Sequence, residues 1–229
     1  KALNNQSIEL LEFDYHNGKK HVFIGNDITV MDWEVDTQTI QHLRFGDKTQ
    51  NRAIVIAIDS NRKLWVGTVD GLFTKSLTEP TNTALRLYKK IPSQDYISSL
   101  YADSAQQIWI GTAKNGVWML DQQQNLHHIN LPSNDDSNPW IYDITEMSPG
   151  IIWFGTFGKG IIEYNTKSGI FTSIRQQRGL KRNLLDNDIW SFFKDRRGLI
   201  WIGSRRGLNI YNPTQTAFKY IPGGMDDTN

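Results

Sequence analysis

Ile108-Trp109-Ile110-Gly111-Thr112, followed by Asn115-Gly116-Val117, is the stretch of this sequence from which the fold can be predicted. The pattern returns three more times, with the pairs Trp65 and Gly67, Trp153 and Gly155, and Trp201 and Gly203. A degenerate copy, Val22-Phe23-Ile24-Gly25, has phenylalanine in place of tryptophan. The aromatic positions are spaced by 42, 44, 44 and 48 residues. Self-similarity with a period of about 40 to 50 residues is typical of propellers and solenoid arrays.

Each period divides into four short segments that are typical of β-strands. In the copy around Trp109, strands are predicted over 97–102, 107–112, 117–120 and 126–131, with polar turns between them. In the degenerate first copy, they are predicted near 8–13, 21–25, 28–34 and 40–45. Branched and aromatic residues favour strands, whereas Asp, Ser, Asn and Gly favour turns. No stretch shows a helical period of useful length.

A four-stranded sheet with two apolar faces cannot bury both by itself, so the copies are expected to stack. The sequence therefore predicts an all-β fold: a β-propeller of about five four-stranded antiparallel blades, or a partial array of a larger propeller. Residues 1–229 are expected to form one propeller domain or a fragment of one. The predicted blades are 8–45, 53–91, 96–131, 140–175 and 188–221. The longer basic insertion at 176–186, with Arg178, Lys181 and Arg182, is predicted to be a surface loop.

The repeated tryptophans and glycines are interpreted as structural. A tryptophan offers a large apolar plate for packing one blade on the next. The glycine two residues later allows a neighbouring backbone to approach closely, and the second glycine of each motif is expected in a turn with positive φ. An aspartate precedes the tryptophan by six residues in three copies, as Asp59, Asp103 and Asp195, whereas the fourth copy has Met147 there.

The composition limits the function classes. Among 229 residues, 25 are Lys or Arg and 24 are Asp or Glu, so the net charge of +1 provides no overall field for attracting nucleic acid. The absence of cysteine excludes disulfides and thiolate metal sites. No apolar run approaches the roughly 18 residues that a membrane span needs. Because the chain opens in mid-pattern at Lys1, it is interpreted as a fragment or a mature segment that lacks its targeting sequence.

Two copies resemble a known repeat. The run from Ile97 to Asp103, continuing into the Trp109 motif and Asn115-Gly116-Val117, is similar to the two-component regulator propeller repeat. So is the run from Asp188 to Asp195 with its continuation RRGLIWIGSRRGLNIYNP, including the tyrosine-led ending Tyr211-Asn212-Pro213. The chain departs from the family in number, because family members commonly have seven-bladed propellers, often in tandem.

The resemblance implies an extracytoplasmic, periplasmic sensor region of a bacterial membrane-bound regulator. A membrane span and a cytoplasmic histidine kinase, diguanylate cyclase or DNA-binding module would follow outside this chain. In several family members the signal is a saccharide. The leading prediction is thus a non-enzymatic propeller that binds a saccharide or another small anionic or polar ligand, and that dimerises in the full-length protein. The alternatives are a propeller glycosidase or lyase acting on polysaccharide, and a protein-interaction scaffold.

Two groups of side chains are candidates for ligand binding. Loops between the second and third strands of successive blades carry Asp70, Lys114, Asn115, Lys159, Arg205 and Arg206. Equivalent loops of a radial array lie on one face, where cations suit carboxylate, sulfate or phosphate groups. Aromatic residues at the starts of inner strands, Tyr96, Trp140 and Trp190, suit the flat faces of sugars. Solvated loops and packing between strands are the structural explanations of the same residues.

Catalysis and cofactor binding have weaker support in the sequence. Glycosidase chemistry needs two carboxyl groups at a defined separation, and the candidates are Asp95, Asp143, Asp186 and Asp188. The histidines, His16, His21, His42, His127 and His128, have no spacing typical of metal ligands. No catalytic residue, metal or cofactor is therefore predicted, and nucleic acid is not expected as a partner.

Overall fold

The computed structural model describes residues 10–16, 18–25, 29–46, 52–80, 82–90, 95–132, 138–177, 183–215 and 217–222. Every regular element within these ranges is a β-strand. Accordingly, the part of the chain that the structure describes contains no helix long and apolar enough to cross a membrane.

The strands form five groups of four. The first three groups are β1 Leu10–His16, β2 Lys19–Gly25, β3 Val30–Glu34 and β4 Thr39–Leu43; β5 Ala53–Ile58, β6 Lys63–Thr68, β7 Gly71–Ser76 and β8 Arg86–Lys89; and β9 Ile97–Ala102, β10 Ile108–Thr112, β11 Val117–Leu120 and β12 Leu126–Ile129. The last two are β13 Ile141–Ser148, β14 Ile151–Thr156, β15 Ile161–Asn165 and β16 Ile170–Ile174; and β17 Ile189–Lys194, β18 Ile200–Ser204, β19 Gly207–Asn212 and β20 Ala217–Pro222.

Each group is one sheet in which strands adjacent in sequence are neighbours. The fold is that of a β-propeller with five four-stranded antiparallel blades, which confirms the predicted fold class. Around Trp109, β9 and β11 coincide with the predicted strands, β10 begins one residue late and β12 ends two residues early. In the first blade, the predicted strand starts at 8 and 28 lie outside the described residues.

The chain divides into two compact units. The first unit consists of Lys1–Ala102, Gln106–Ile110 and Leu120–Asn125. The second consists of Asp103–Ala105, Gly111–Met119 and Leu126–Asn229. We call the side of a sheet that carries the Trp (or Phe23) and Gly of the motif its Trp face, and the other side its opposite face.

In the first unit, the Trp face of the first sheet packs against the opposite face of the second. The buried cluster joins Phe23, Val30 and Leu43 of the first sheet to Ile56, Leu64, Val66 and Phe73 of the second. On the Trp face of the second sheet, the next inner strand comes so close that a Cβ on Gly67 would lie 2.6 Å from Ile97 Cγ2. The glycine of the motif is therefore required by the packing between blades.

The second unit repeats this arrangement between its fourth and fifth sheets. Trp153 and Ile161 of the fourth sheet form a buried cluster with Ile189, Ile200 and Ile202 of the fifth. Leu184, within the insertion predicted to be a surface loop, is also buried in this cluster. The prediction is wrong for that part of the insertion, because the side chain of Asn209 holds it through hydrogen bonds with Leu185 N (3.0 Å) and Asn183 O (3.0 Å). Residues 178–182, which include all three predicted basic side chains, lie outside the described residues.

The repeated tryptophans are anchored by hydrogen bonds as well as by packing. Trp65 Nε1 donates to Asp59 Oδ2 at 2.8 Å, and Trp201 Nε1 donates to Asp195 Oδ2 at 3.2 Å. The aspartate six residues before the tryptophan thus has a defined structural role. In the fourth blade, Trp153 Nε1 donates instead to Glu163 Oε2 on β15, at 2.7 Å.

Candidate ligand-binding face

The turn after the second strand of a blade is closed by the last residue of the motif. Thr68 Oγ1 donates to Gly71 O, Thr156 Oγ1 to Gly160 O and Ser204 Oγ to Gly207 O, at 2.7 to 2.9 Å. Each of these glycines has a positive φ, as the sequence predicted. Sequence reasoning missed the hydroxyl, although the invariable Thr or Ser in all four complete copies signalled it. These turns therefore share one hydrogen-bonded geometry.

In the second unit, these turns meet the segments that lead into the inner strands. Phe157 N donates to Trp140 O at 3.1 Å, and Arg205 N donates to Asp188 O at 3.2 Å. Gly158 N also donates to Asp188 Oδ1, at 2.7 Å. We call this surface the loop face: the β14–β15 turn, the β18–β19 turn, the residues directly before β13 and β17, and the first two residues of these two strands.

The arginines of the loop face lie beside carboxylates. Arg205 Nη1 is 4.0 Å from Asp188 Oδ2, and Arg206 Nε is 3.6 Å from Asp186 Oδ2. Both arginine side chains remain largely exposed, at 71% and 66%. The structure thus places two of the candidate catalytic carboxylates beside cations, at distances longer than a hydrogen bond. Exposed pairs of this kind contribute little to stability.

The other predicted loop residues occupy equivalent turns. Lys159 is half-buried in the β14–β15 turn. Lys114 is exposed in the turn between β10 and β11, where Asn115 O is 2.9 Å from His128 Nε2. Asp70 lies in the β6–β7 turn of the first unit, and its amide donates to Thr68 Oγ1 at 3.0 Å.

Aromatic side chains accompany these polar groups on the loop face. Trp190, two residues after Asp188, is 52% exposed, and Trp140 is half-buried. The Trp140 ring stacks on the Tyr142 ring, with centroids 4.9 Å apart. The centroids of the Tyr142 and Phe157 rings are 6.2 Å apart. Sequence reasoning missed Tyr142 and Phe157. The sequence did contain a signal for Phe157: it is the aromatic residue directly after the Thr or Ser of the motif, where the other complete copies have Val69, Ala113 and Arg205.

Tyr96, the third predicted aromatic, belongs to the first unit. It is half-buried directly before β9, and its amide donates to the Asp95 carboxylate at 2.9 Å. Asp95, one of the candidate catalytic carboxylates, thus binds the backbone at the start of an inner strand.

Asp143, the remaining candidate carboxylate, links two inner strands. Its Oδ2 accepts from Phe192 N on β17 at 2.6 Å, and its Oδ1 accepts from Ile144 N at 2.8 Å. Burial raises the pKa of Asp143 to about 6, and the two backbone hydrogen bonds lower it by less. A raised pKa in a carboxyl group is a feature of general acids, but both oxygens of this half-buried carboxylate accept from backbone amides of inner strands. Its geometry is that of a bridge between blades.

Potential metal ligands do not cluster. Over the described ranges, no three or more His, Asp or Glu side chains are placed to hold a metal ion. His21 Nδ1 lies 2.8 Å from Asp32 Oδ1, whereas His42 and His127 are exposed on strands. The His128 ring packs against Trp118, with ring centroids 4.4 Å apart.

The fold and the loop face define a repeat propeller with a polar and aromatic surface on its turns. Residues 90–114 and 183–206 match the two component regulator propeller family. These segments include β9 with β10, and β17 with β18, the inner strand pairs of their blades. These two segments are similar to the two component regulator propeller repeat, as their motifs predicted.

One curated protein and one solved structure are similar to this chain. Over 107 residues the chain is 29% identical to histidine kinase P4 of Formosa agariphila, covering 45% of this chain and 8% of that protein. The extracellular domain of a putative hybrid two component system from B. thetaiotaomicron has a similar fold: the TM-score is 0.74 at 18% identity, over 90% of this chain and 27% of that one. The family match and the kinase relative support a sensor-type propeller.

The same fold occurs in PorZ, a bacterial surface component of the type-IX secretion system of Porphyromonas gingivalis. Its TM-score is 0.65 at 16% identity, over 88% of this chain and 31% of PorZ. This chain therefore spans less than a third of the length of each of these three proteins.

Proposed function

We propose that this chain is a non-enzymatic, ligand-sensing propeller of a bacterial two-component or related membrane signalling protein. The observation that carries the proposal is the match of its repeats to the two component regulator propeller family. The B. thetaiotaomicron neighbour is described as an extracellular domain, which supports an extracytoplasmic, periplasmic location. The full-length protein would reach the membrane and its output module through segments outside this chain, and would signal as a homodimer.

The loop face is the proposed ligand surface. Trp190 and Phe157 offer exposed rings, on which the apolar face of a sugar can stack. Arg205 and Arg206, each beside an aspartate and largely exposed, offer donors to carboxylate or sulfate groups. An acidic oligosaccharide combines both features, so this ligand class suits the surface best.

Ligand binding can produce a signal if it favours one arrangement of protomers over another. A ligand that bound both arrangements equally would shift nothing, however tightly it bound. The proposed mechanism is therefore differential binding at the loop face, which changes the population of the signalling dimer.

The test is a thermal-shift screen of the purified chain against acidic and neutral oligosaccharides, followed by titration calorimetry of the ligands that raise the melting temperature. We expect Trp190→Ala and Arg206→Ala each to weaken binding about tenfold, or about 1.4 kcal/mol. Arg196→Ala is the matched control, because Arg196 is exposed in the turn between β17 and β18, at the other end of β18. It should leave the affinity unchanged.

Three results would contradict the proposal. Equal affinities of all three variants would show that the ligand binds elsewhere. Cleavage of the oligosaccharide, followed by mass spectrometry, would identify a propeller enzyme. A melting temperature that responds to a partner protein and to no small molecule would identify a scaffold.

A further inference from the structure

The first unit contains a cavity of about 690 Å³ between its first and second sheets. Its lining includes Phe23, Asp32 and Leu43 of the first sheet, and Arg62, Lys75 and Glu79 of the second blade. This volume lies within the roughly 300–1,000 Å³ range of small-molecule sites. The cavity lies where the Trp face of one blade packs on the opposite face of the next, a place that is normally filled by side chains.

The equivalent place between the fourth and fifth sheets shows what fills it. There Trp153 packs on Tyr211, with ring centroids 5.0 Å apart. In addition, the indole of Trp153 donates to Glu163, its cross-strand partner on β15. Two aromatic rings and one carboxylate thus occupy the space between these blades.

The strand registers identify the matching residues in the first unit. Phe23 pairs with Asp32 as Trp153 pairs with Glu163, so Phe23 stands where the repeat has tryptophan. Lys75 pairs with Leu64 as Tyr211 pairs with Ile200, so Lys75 stands where the fifth blade has tyrosine. One of the two filling rings is therefore smaller here, and the other is replaced by a charged side chain. The degenerate motif of the first blade coincides with the cavity.

Charged groups of both signs border this space. Lys75 is 95% buried, since only 5% of it is exposed, and its Nζ donates to Pro80 O at 3.0 Å and Thr83 O at 2.8 Å. Burial lowers the pKa of the Lys75 ammonium, whereas the charges of Asp32 and Glu79 raise it. An ammonium group is costly to bury, so a blade that needed only a filler would keep an aromatic residue here.

The carboxylates and the guanidinium keep capacity for a ligand. Asp32 uses Oδ1 for His21, at 2.8 Å, and lines the cavity. Glu79 Oε1 is 3.7 Å from Arg86, too far for a hydrogen bond. Arg62 donates through Nη1 and Nη2 to Asp14, and through Nη1 to Tyr15 O at 3.5 Å, a set of bonds that does not use its Nε–H.

We propose that this cavity between the first and second blades is a binding site for a small zwitterion of the amino-acid type. The ammonium group of the ligand binds at Asp32 and Glu79, and its carboxylate binds at Arg62. Its apolar side chain packs on Tyr15 and Pro80, which are exposed members of the lining. The site lies in the first unit and shares no residue with the loop face, so it stands independently of the function proposed above.

The decisive variant is Phe23→Trp, which restores the filling ring of the repeat. The new indole would have Asp32 available as its acceptor, as Trp153 has Glu163, so the variant should be as stable to urea as the parent chain. Titration calorimetry would use L-leucine as the probe, with N-acetyl-L-leucinamide, isovalerate and isoamylamine as analogues that lack both charges or one of them. We expect leucine to bind the parent chain, the three analogues to bind at least tenfold more weakly, and Phe23→Trp to lose leucine binding.

A second variant keeps the test independent of how Phe23→Trp folds. Glu79 lies partly exposed at the cavity, so Glu79→Gln removes one charge with little risk to the fold. It should weaken leucine binding several-fold, whereas Arg206→Ala on the loop face should not change it. The proposal is overturned if no leucine binds, if the uncharged analogue binds as well as leucine, or if folded Phe23→Trp binds leucine like the parent chain. Each of these results leaves the loop-face proposal unaffected.

Discussion

Trp153 Nε1 donates to Glu163 Oε2 across the β14–β15 pair, and so replaces the bond that Trp65 and Trp201 make to an aspartate six residues earlier. The fourth blade has Met147 at that earlier position, and Met147 packs against the apolar cluster of the second unit. The requirement that persists through the repeat is thus an acceptor for a buried indole N–H, because a buried donor without a partner is costly. The residue that meets the requirement can come from either neighbouring strand.

Replacing Glu163 should therefore destabilise the chain in a way that depends on the acceptor. Glu163→Ala leaves the Trp153 indole N–H buried without its partner, which should cost about 1–3 kcal/mol in the free energy of unfolding. Glu163→Gln retains a side-chain oxygen and should cost less than about 1 kcal/mol. Urea unfolding followed by tryptophan fluorescence measures both values. Equal losses in the two variants would show that the hydrogen bond contributes nothing and that only side-chain packing matters.

Replacing the glycine of the motif by alanine should lower the free energy of unfolding by different amounts in different blades. A Cβ on Gly155 would lie 2.9 Å from Ile189 Cγ2 and 3.0 Å from Phe192 Cε2, both on the next inner strand. A Cβ on Gly203 would instead meet the Ser191 hydroxyl oxygen at 2.6 Å, with its next neighbour at 3.9 Å, and that hydroxyl can rotate away. We expect Gly155→Ala to lower the free energy of unfolding by about 1–3 kcal/mol through overpacking, and Gly203→Ala to lower it by less.

Gly203→Ala is the matched control in this pair, because both glycines lie on the second strand of their blades. Chemical denaturation of the two variants side by side is sufficient. A larger loss in Gly203→Ala would contradict the role assigned to the contact between blades.

Asp143 should make the free energy of unfolding fall as the pH rises, which is the opposite of the usual effect of an aspartate. Its pKa is about 6 in the folded chain, above the value of about 4 expected for an unfolded chain. Between these values the folded state binds more protons than the unfolded state, so the free energy of unfolding from this group falls as pH rises. Asp143 therefore contributes about 3 kcal/mol to the free energy of unfolding below about pH 4, and this contribution is lost as the pH rises through 6.

Asp143→Asn removes this titration. Free energies of unfolding at several values between pH 4 and pH 8 should show that the difference between the parent chain and Asp143→Asn changes by up to about 3 kcal/mol, with most of the change between pH 4 and 6. A difference that is constant across the range would show that Asp143 titrates normally and is not shielded from water.

The motif spacing was sufficient to predict the fold class, since a regular pattern of apolar, aromatic and glycine positions reports which faces are buried and where the chain turns. The strands around Trp109 were predicted almost to the residue, because their ends are marked by local signals: Asp, Ser and Asn in turns, and glycine at positive φ. The family resemblance rested on the same short-range pattern. These properties are local, and the sequence by itself determines them.

Tertiary structure decided the properties that depend on residues distant in sequence. Glu163 became the partner of Trp153, Asp186 and Asp188 became the partners of arginines, and Asp143 came to bridge two inner strands. The cavity beside Phe23 is the clearest case. The presence of phenylalanine at position 23 is visible in the sequence, but only the packing of the first two blades brings Phe23, Asp32 and Lys75 into the lining of one cavity. Spacing along a chain specifies which face a side chain occupies, whereas the packing of two blades specifies what it meets there.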